Sequence, residues 1–473
     1  MGARRGPGRR PGPHRREGAR AGPGVRRRPQ GALRRPPGSP RAAGRGIGVT
    51  GWTAAELAEA AGGRLVAGDP AAAGPERVTI DSREAGPGTL FVGLPGETHD
   101  GGAFAADALG AGAWGVLVGE SHAAGLEGQP GVVIAVDDPL RGLADAAAAW
   151  RRRLGCAVIA ITGSTGKTST KDITAALLRP SRRTVATTGN YNTEIGLPLT
   201  ILGAPDGTEA LVLEMAMRGV GQIAELTRIA DPDVGIIVNI GPVHLELLGT
   251  VENIAAAKSE LIADMRPGTV AVIPADEPLL DPHVREDHEV VTFGPGGQLD
   301  TLPDGLSLPI TSRHMELNAL AALAAVRAVG VEPEGEIELQ ISGLRGERIV
   351  LGDGVVVIND CYNANPMSMR AALADLAESA DGRRVAVLGD MLELGPDERR
   401  FHAELGAEAR EAGVEVLVTV GDLARVAGPA WGGDELTAVD DADQAATVVA
   451  GIVEPGDTVL VKGSRGVGLE IVA

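Results

Sequence analysis

Lysine is what this chain most lacks. Among 44 basic residues only Lys167, Lys171, Lys258 and Lys462 are lysines, while Gly reaches 68. Such a composition reflects a coding bias towards Arg, Gly and Ala. Arg replaces Lys on most surfaces but not where a compact or deprotonatable amine is needed, so each remaining lysine is a candidate for chemistry. Cysteine is nearly absent too. Cys156 and Cys361 cannot build a disulfide framework, which excludes the small secreted scaffolds and fits a reducing cytoplasm. No uninterrupted apolar run of about 18 residues occurs, so no membrane span is expected.

Positive charge is missing from most of the chain. Residues 1–46 hold fourteen arginines against a single acid, Glu17, so the net charge of −19 hides about −32 on the remainder. Phosphate backbones need a basic face, and an acidic body argues against nucleic acid as the main partner. The Arg/Pro/Gly-rich stretch 1–46 has no apolar h-region and is not a secretory signal. It reads either as a disordered basic tail or as sequence translated from a start placed too early. The second reading is preferred.

What remains, residues 47–473, suggests about three domains at ~150 residues each. Short Val/Ile/Leu runs end in polar or Gly-rich residues and alternate with Ala/Leu/Glu-rich helical segments, the pattern of parallel α/β sheets. The expected blocks are 47–153, 154–335 and 336–473. Ligands in such sheets bind beyond the carboxyl ends of the strands, so the residues just after each run are the place to look.

One such place is unmistakable. Ala157–Thr162 reads as a buried strand, followed by Gly163-Ser164-Thr165-Gly166-Lys167-Thr168-Ser169 and a helix through Leu178. Glycines let backbone N–H groups wrap phosphate oxygens, and the helix N-terminus adds a favourable dipole. Lys167 would reach the β/γ-phosphates and the Thr168 hydroxyl would sit on magnesium. The loop is the short G-x-x-G-K-[ST] form. The bland alternative is a Gly-rich strand-to-helix turn. Lys171, one turn on, is expected on a solvated face.

Glu214 closes the run Ala210–Leu213 and could hold the nucleotide's magnesium; the alternative is an exposed strand-end acid. Asn239-Ile-Gly-Pro-Val-His244 follows another strand, where a lone His is more often a satisfied polar residue than a ligand. Lys258 lies in a helical run, Val251–Met265. A lysine whose pKa is lowered by burial or neighbours can take up carbon dioxide as a carbamate, and arginine cannot.

Taken in order, the short phosphate loop, Glu214, N-I-G-P-V-H and Lys258 resemble the Mur ligase family, the ATP-dependent amide-forming enzymes of peptidoglycan assembly. Asn190-Tyr-Asn-Thr-Glu-Ile-Gly-Leu-Pro198, Asp360-Cys-Tyr-Asn-Ala-Asn-Pro366 and Gly389-Asp-Met-Leu-Glu-Leu-Gly395 are similar to the branch that uses D-alanyl-D-alanine. Asp81-Ser82-Arg83 resembles the uridine-nucleotide part of that branch. The chain's two tyrosines, Tyr191 and Tyr362, fall inside two of these motifs. No D-N-P-R signature of the third-residue-adding ligases is present.

The resemblance implies an α/β fold of three domains: a central P-loop parallel-sheet ATPase domain, an N-terminal uridine-nucleotide domain and a C-terminal Rossmann-like domain. It implies ATP and Mg2+ held by Gly163, Ser164, Thr165, Gly166, Lys167, Thr168, Ser169, Asn318 and Asp360, with Arg345 and Arg348 competing for the terminal phosphate. Glu214, His244 and a carbamylated Lys258 would join Thr168 at the metals, and with Lys167 they form the catalytic set. Asp81, Ser82, Arg83, Asn190, Asn192, Thr193, Asn363, Asn365, Lys462, Ser464 and Arg465 would meet substrate. The substrates implied are UDP-N-acetylmuramoyl-tripeptide and D-alanyl-D-alanine, joined through an acyl phosphate by a cytoplasmic bacterial monomer. Two departures stand out. His314-Met315 replaces the family's His-Asn before Asn318, and Gly294–His314 is shorter than usual, as if a hairpin were missing. The alternatives are another amide ligase of the family or a non-catalytic nucleotide-binding module.

Overall fold

A computed structural model describes residues 1–2, 51–310 and 312–473. The basic stretch read over residues 1–46 lies, from residue 3 on, outside them. Three sheets follow one another within residues 46–473.

The first sheet holds β1 (Arg64–Ala67), β2 (Arg77–Thr79), β3 (Thr89–Val92), β4 (Gly115–Gly119) and β5 (Val132–Val136), in the order β1-β5-β4-β3-β2. The second holds β6 (Ala157–Thr162), β7 (Thr184–Ala186), β8 (Ala210–Glu214), β9 (Val234–Ile237), β10 (Val270–Pro274) and β11 (Glu289–Phe293), in the order β11-β10-β9-β6-β8-β7 and parallel throughout. A two-residue pair, β12 (Leu306–Ser307) and β13 (Gly335–Glu336), joins the start of the third block to the second. The third sheet holds β14 (Glu347–Val350), β15 (Val356–Asn359), β16 (Arg384–Gly389), β17 (Val416–Val420), β18 (Glu435–Val439) and β19 (Thr458–Lys462), in the order β14-β15-β19-β16-β17-β18.

The α/β class is as expected, but two edges depart from the parallel pattern. β1 runs antiparallel to β5, and β14 antiparallel to β15. The second case has a simple cause. Only residues 351–355 join β14 to β15, with Asp353 and Gly354 at φ 58° and 76°, and so short a link can close a hairpin but not the crossover a parallel pair needs.

The helix Pro139–Leu154 binds the first two sheets into one core. Asp138 caps its N-terminus by accepting from the N–H groups of Leu140 and Arg141, and Gly155 ends it in the left-handed region. Its Trp150 is fully buried, meets Trp52 edge-on at 5.1 Å between ring centroids, and donates its indole N–H to Ala204 O at 2.9 Å. A single apolar cluster therefore runs from Leu57 of the first block to Ile273 of the second. The third sheet keeps apolar clusters of its own, with Leu245 of the second block packed against one of them. Among the described residues no helix is long and apolar enough to cross a membrane.

The helix Lys167–Leu178 packs against the helix Arg313–Ala328, and the expectation for Lys171 is corrected. It is not solvated. Its side chain is buried, pairs with Asp172 at 2.7 Å and donates to Thr187 O at 2.9 Å.

Candidate active site

β6 delivers the phosphate loop at its carboxyl end, where the strand's buried Val158–Thr162 run gives way to glycine. Gly166 caps the following helix at φ 76°, and a Cβ there would lie 2.5 Å from Asn318 Oδ1. Both the backbone angle and the approach of Asn318 require glycine. The N-I-G-P-V-H element latches this loop from the side. Thr165 N–H donates to Asn239 Oδ1 at 2.9 Å, Asn239 Nδ2 donates to Thr165 Oγ1 at 2.9 Å, and Gly241 N–H donates to Ser164 Oγ at 2.9 Å.

Two lysines converge on one carbonyl. Lys167 Nζ donates to Gly163 O at 2.7 Å and Lys258 Nζ donates to the same oxygen at 3.0 Å. Burial is the main cause that lowers the Lys167 pKa, with Arg345 adding to it and Glu214 opposing. Lys258, buried behind the loop, is pushed well below the ordinary lysine value by burial and then by Lys167.

Glu214 is the last residue of β8 and is buried, not an exposed strand end. Thr168 Oγ1 donates to its Oε2 at 2.7 Å, Asn192 Nδ2 donates to its Oε1 at 2.7 Å, and its own N–H donates to Thr187 Oγ1 at 3.0 Å. The Thr168 hydroxyl and the Glu214 carboxylate thus present adjacent hard oxygens beside the phosphate loop. His244 lies in the same cleft with φ 54°, but its Nδ1 is engaged by Glu393 Oε2 at 2.6 Å across to the third block. That bond lowers the Glu393 pKa. Among the described residues no three acidic, His or Cys side chains gather as a metal cage.

The cleft itself encloses about 1310 Å3 between the second and third sheets. Ser164–Ser169, Asn190, Asn192, Thr193, Glu214, Asn239, His244 and Asn318 line it from one side; Arg345, Arg348, Asp360, Tyr362, Asn363, Asn365 and Lys462 line it from the other. Several of these have structural partners. Lys462 is buried and bound to Asp360 Oδ2 at 2.6 Å and Asn363 O at 3.0 Å. Asn365 caps the helix Pro366–Ser379 by accepting from Ser368 N–H. Arg348 donates to both oxygens of Asp375 at 3.0 and 2.9 Å and to Ser379 Oγ. Arg345 instead lies over the Tyr362 ring, 4.0 Å from its centroid. Ser464 is buried and accepts from Leu392 N–H, while Arg465 stands 5.9 Å from the Tyr362 centroid.

Asp81, Ser82 and Arg83 do not join this cleft. They form a turn after β2, where the Asp81 carboxylate accepts from the backbone N–H and the exposed guanidinium of Arg83. Met315, standing where an Asn was expected, offers its sulfur to Asn318 Nδ2 at 3.8 Å. Sequence reasoning gave no part to Asp172, Thr187 or Glu393. For Glu393 the signal was its place inside G-D-M-L-E-L-G; Asp172 and Thr187 carried none.

Comparison with known proteins agrees with this geometry. Residues 161–306 match the Mur ligase middle domain, and residues 344–465 match the Mur ligase, glutamate ligase domain. The chain belongs to the Mur ligase family, a class of ATP-dependent ligases. It is 38% identical over 421 residues to the UDP-N-acetylmuramoyl-tripeptide–D-alanyl-D-alanine ligase of Bacillus subtilis (strain 168), covering 83% of this chain and 91% of that one. Among solved structures, MurF from Acinetobacter baumannii superposes with a TM-score of 0.78 at 29% identity, over 89% of this chain and 97% of that one. MurF ligase from Thermotoga maritima in complex with ADP gives 0.74 at 31% identity, over 84% and 96%.

Proposed function

We infer that this chain is an ATP-dependent amide ligase that adds D-alanyl-D-alanine to UDP-N-acetylmuramoyl-tripeptide, yielding the UDP-linked pentapeptide, ADP and phosphate in peptidoglycan precursor synthesis. The observation that carries this reading is the cleft: one space holds the phosphate loop and Glu214 on one wall and Arg345, Asp360 and Asn363 on the other. ATP and a second substrate can therefore meet in it.

Amide formation from a carboxylate is uphill in water, so the carboxylate must first be activated. An oxygen of the acceptor's terminal carboxylate attacks the γ-phosphorus and the bond to the β-phosphate oxygen breaks, giving an acyl phosphate and ADP. The amine of D-alanyl-D-alanine then attacks the carbonyl carbon, loses a proton, and the acyl C–O bond breaks to release phosphate. Positioning and charge neutralisation are most of what phosphoryl transfer requires. The loop N–H groups and Lys167 hold the phosphates, and Arg345 faces them from the opposite wall. Asp360, fixed by Lys462, and Asn318 would hold the rest of the nucleotide.

The hydroxyl and carboxylate of Thr168 and Glu214 suit a hard cation that takes its other ligands from nucleotide and water. Mg2+ bound there would neutralise negative charge on the phosphates. Lys258 suits carbamate formation, since its buried amine is held towards the neutral form: nitrogen bonds to the carbon of CO2 and one proton leaves. The carbamate would give an oxygen ligand beside the phosphate loop, where the amine now meets Gly163 O. We assign residues 47–153 to the uridine-nucleotide substrate, 154–335 to ATP and 336–473 to ligation, in a cytoplasmic monomer whose partners are small molecules.

The test is ADP release by the purified chain with each amine and acceptor in turn. Release that requires both UDP-N-acetylmuramoyl-tripeptide and D-alanyl-D-alanine supports the reading. Release with diaminopimelate or lysine on a dipeptide acceptor would reassign the chain to the third-residue-adding branch, and ATP binding without any amine-dependent release would leave a binding module.

A further inference from the structure

Arg345 differs from its neighbour Arg348 in what holds it. Arg348, three residues on, is held through its Nη2 by the Asp375 carboxylate and Ser379 Oγ. Among the described residues no carboxylate pairs with the Arg345 guanidinium; it lies over the face of Tyr362, 4.0 Å from the ring centroid. The backbone reinforces that placement. Tyr362 N–H donates to Leu344 O at 3.2 Å, and Leu344 stands at φ 65°, a left-handed angle that leucine rarely adopts. Two residues before Leu344, Ser342 N–H donates to Asp172 Oδ2 at 2.9 Å, and Asp172 sits on the phosphate-loop helix with Lys171 against it. The chain is thus pinned on both sides of the turn that presents Arg345.

An aromatic face is an apt support for this purpose. A carboxylate would fix a guanidinium but would occupy its N–H donors and offset its charge. A ring holds the cation by its quadrupole and leaves the five N–H groups free for phosphate oxygens. Both residues line the cleft with Lys167, and Arg345 is near enough to Lys167 to act on its protonation.

We propose that Tyr362 is the positioning residue of Arg345: its ring holds the guanidinium, and its backbone N–H the Leu344 carbonyl just before it, so that the guanidinium stands unpaired and pre-oriented towards the phosphate loop for the transferred phosphoryl group. The proposal rests on the ligase reading above for its consequence in turnover, but not for the contact itself.

Two measurements test it on the full chain. The chain has two tyrosines, so 3-fluorotyrosine labelling gives two 19F signals, and Tyr362→Phe identifies which belongs to Tyr362. Arg345→Ala is expected to shift that signal and leave the Tyr191 signal in place. A Tyr362 signal indifferent to Arg345 would overturn the proposal whatever the chain catalyses. In turnover, Tyr362→Leu is expected to lower kcat by about tenfold or more, with the KM for D-alanyl-D-alanine little changed, and Tyr362→Phe, which keeps the ring, to recover most of the loss. In an Arg345→Ala background Tyr362→Leu should cost nothing further. Losses that multiply, or a Phe variant as poor as Leu, would overturn it. Absence of ligation with a responsive 19F signal would refute the ligase reading while leaving the placement of Arg345 intact.

Discussion

Lys167 and Lys258 donate to the same oxygen, the carbonyl of Gly163, at 2.7 and 3.0 Å. Burial, and after it the charge of Lys167, disfavours the ammonium form of Lys258. Its pKa is pushed well below the ordinary lysine value, towards the neutral amine. Lys258→Arg cannot yield in this way, because guanidinium keeps its proton. That variant is expected to lose on the order of 10²-fold in kcat. Incubation with 13C-bicarbonate should give a carbamate signal in the parent chain that the variant lacks; a parent without the signal would remove the carbamate from the account.

Glu214 accepts from Thr168 and Asn192 at once. Glu214→Gln keeps the shape and removes the charge, so it should lower kcat by about 10²-fold or more while the fold survives. The loss should deepen at low Mg2+ concentration. Equal activity of parent and variant across a Mg2+ titration would exclude the carboxylate as a ligand.

The two arginines compared above should separate in their effects. Arg348→Ala breaks the pair with the largely buried Asp375 and is expected to cost roughly 1–3 kcal/mol of stability, visible as a lower Tm. Arg345→Ala breaks no ion pair among the described residues and should lower kcat far more than Tm. Thermal unfolding and turnover measured on both variants decide this, and the reverse ranking would assign the phosphate role to Arg348.

His402 makes stability depend on pH. It is fully buried in the helix Glu398–Glu411, its Nε2 accepts from Met391 N–H at 2.9 Å, and its Nδ1–H donates to Glu398 O. Burial lowers its pKa below the usual 6.5. Between that lowered value and 6.5 the unfolded chain binds a proton that the folded chain does not, so stability falls as pH falls through this window. Denaturant unfolding at pH 7.5 and 5.5 should show the loss. His402→Gln should flatten it.

Trp150 ties the first two sheets together. Trp150→Ala is expected to destabilise by about 3–5 kcal/mol. Trp150→Phe, which retains an aromatic ring of smaller size but abandons the bond to Ala204 O, should cost less. The two sheets should unfold together in the parent, and a scan with two separate transitions for them would contradict a shared core.

Much of this was legible along the chain because its signals are local. The strand Ala157–Thr162, its glycine loop and the helix to Leu178 occur within the residues where the pattern placed them, since apolar run, φ-permissive glycine and helix start are all contiguous. Glu214 and Asn239 follow from the rule that sites lie at strand ends. The rest needed partners distant in sequence. Lys171 looks like any helix lysine until the Thr187 carbonyl and Asp172 take its ammonium in a buried site. Arg345 and Arg348 are alike until Asp375 claims one and Tyr362 the other. Edge strands such as Arg64–Ala67 and Glu435–Val439 are half exposed, so no continuous apolar run announces them.

The central claim is activation of the acceptor carboxylate by ATP before the amine arrives. It is tested most directly with UDP-N-acetylmuramoyl-tripeptide carrying 18O in its terminal carboxylate, turned over with ATP and D-alanyl-D-alanine. An acyl phosphate sends one labelled oxygen into the phosphate released. Phosphate free of label, with pentapeptide formed, would contradict the account.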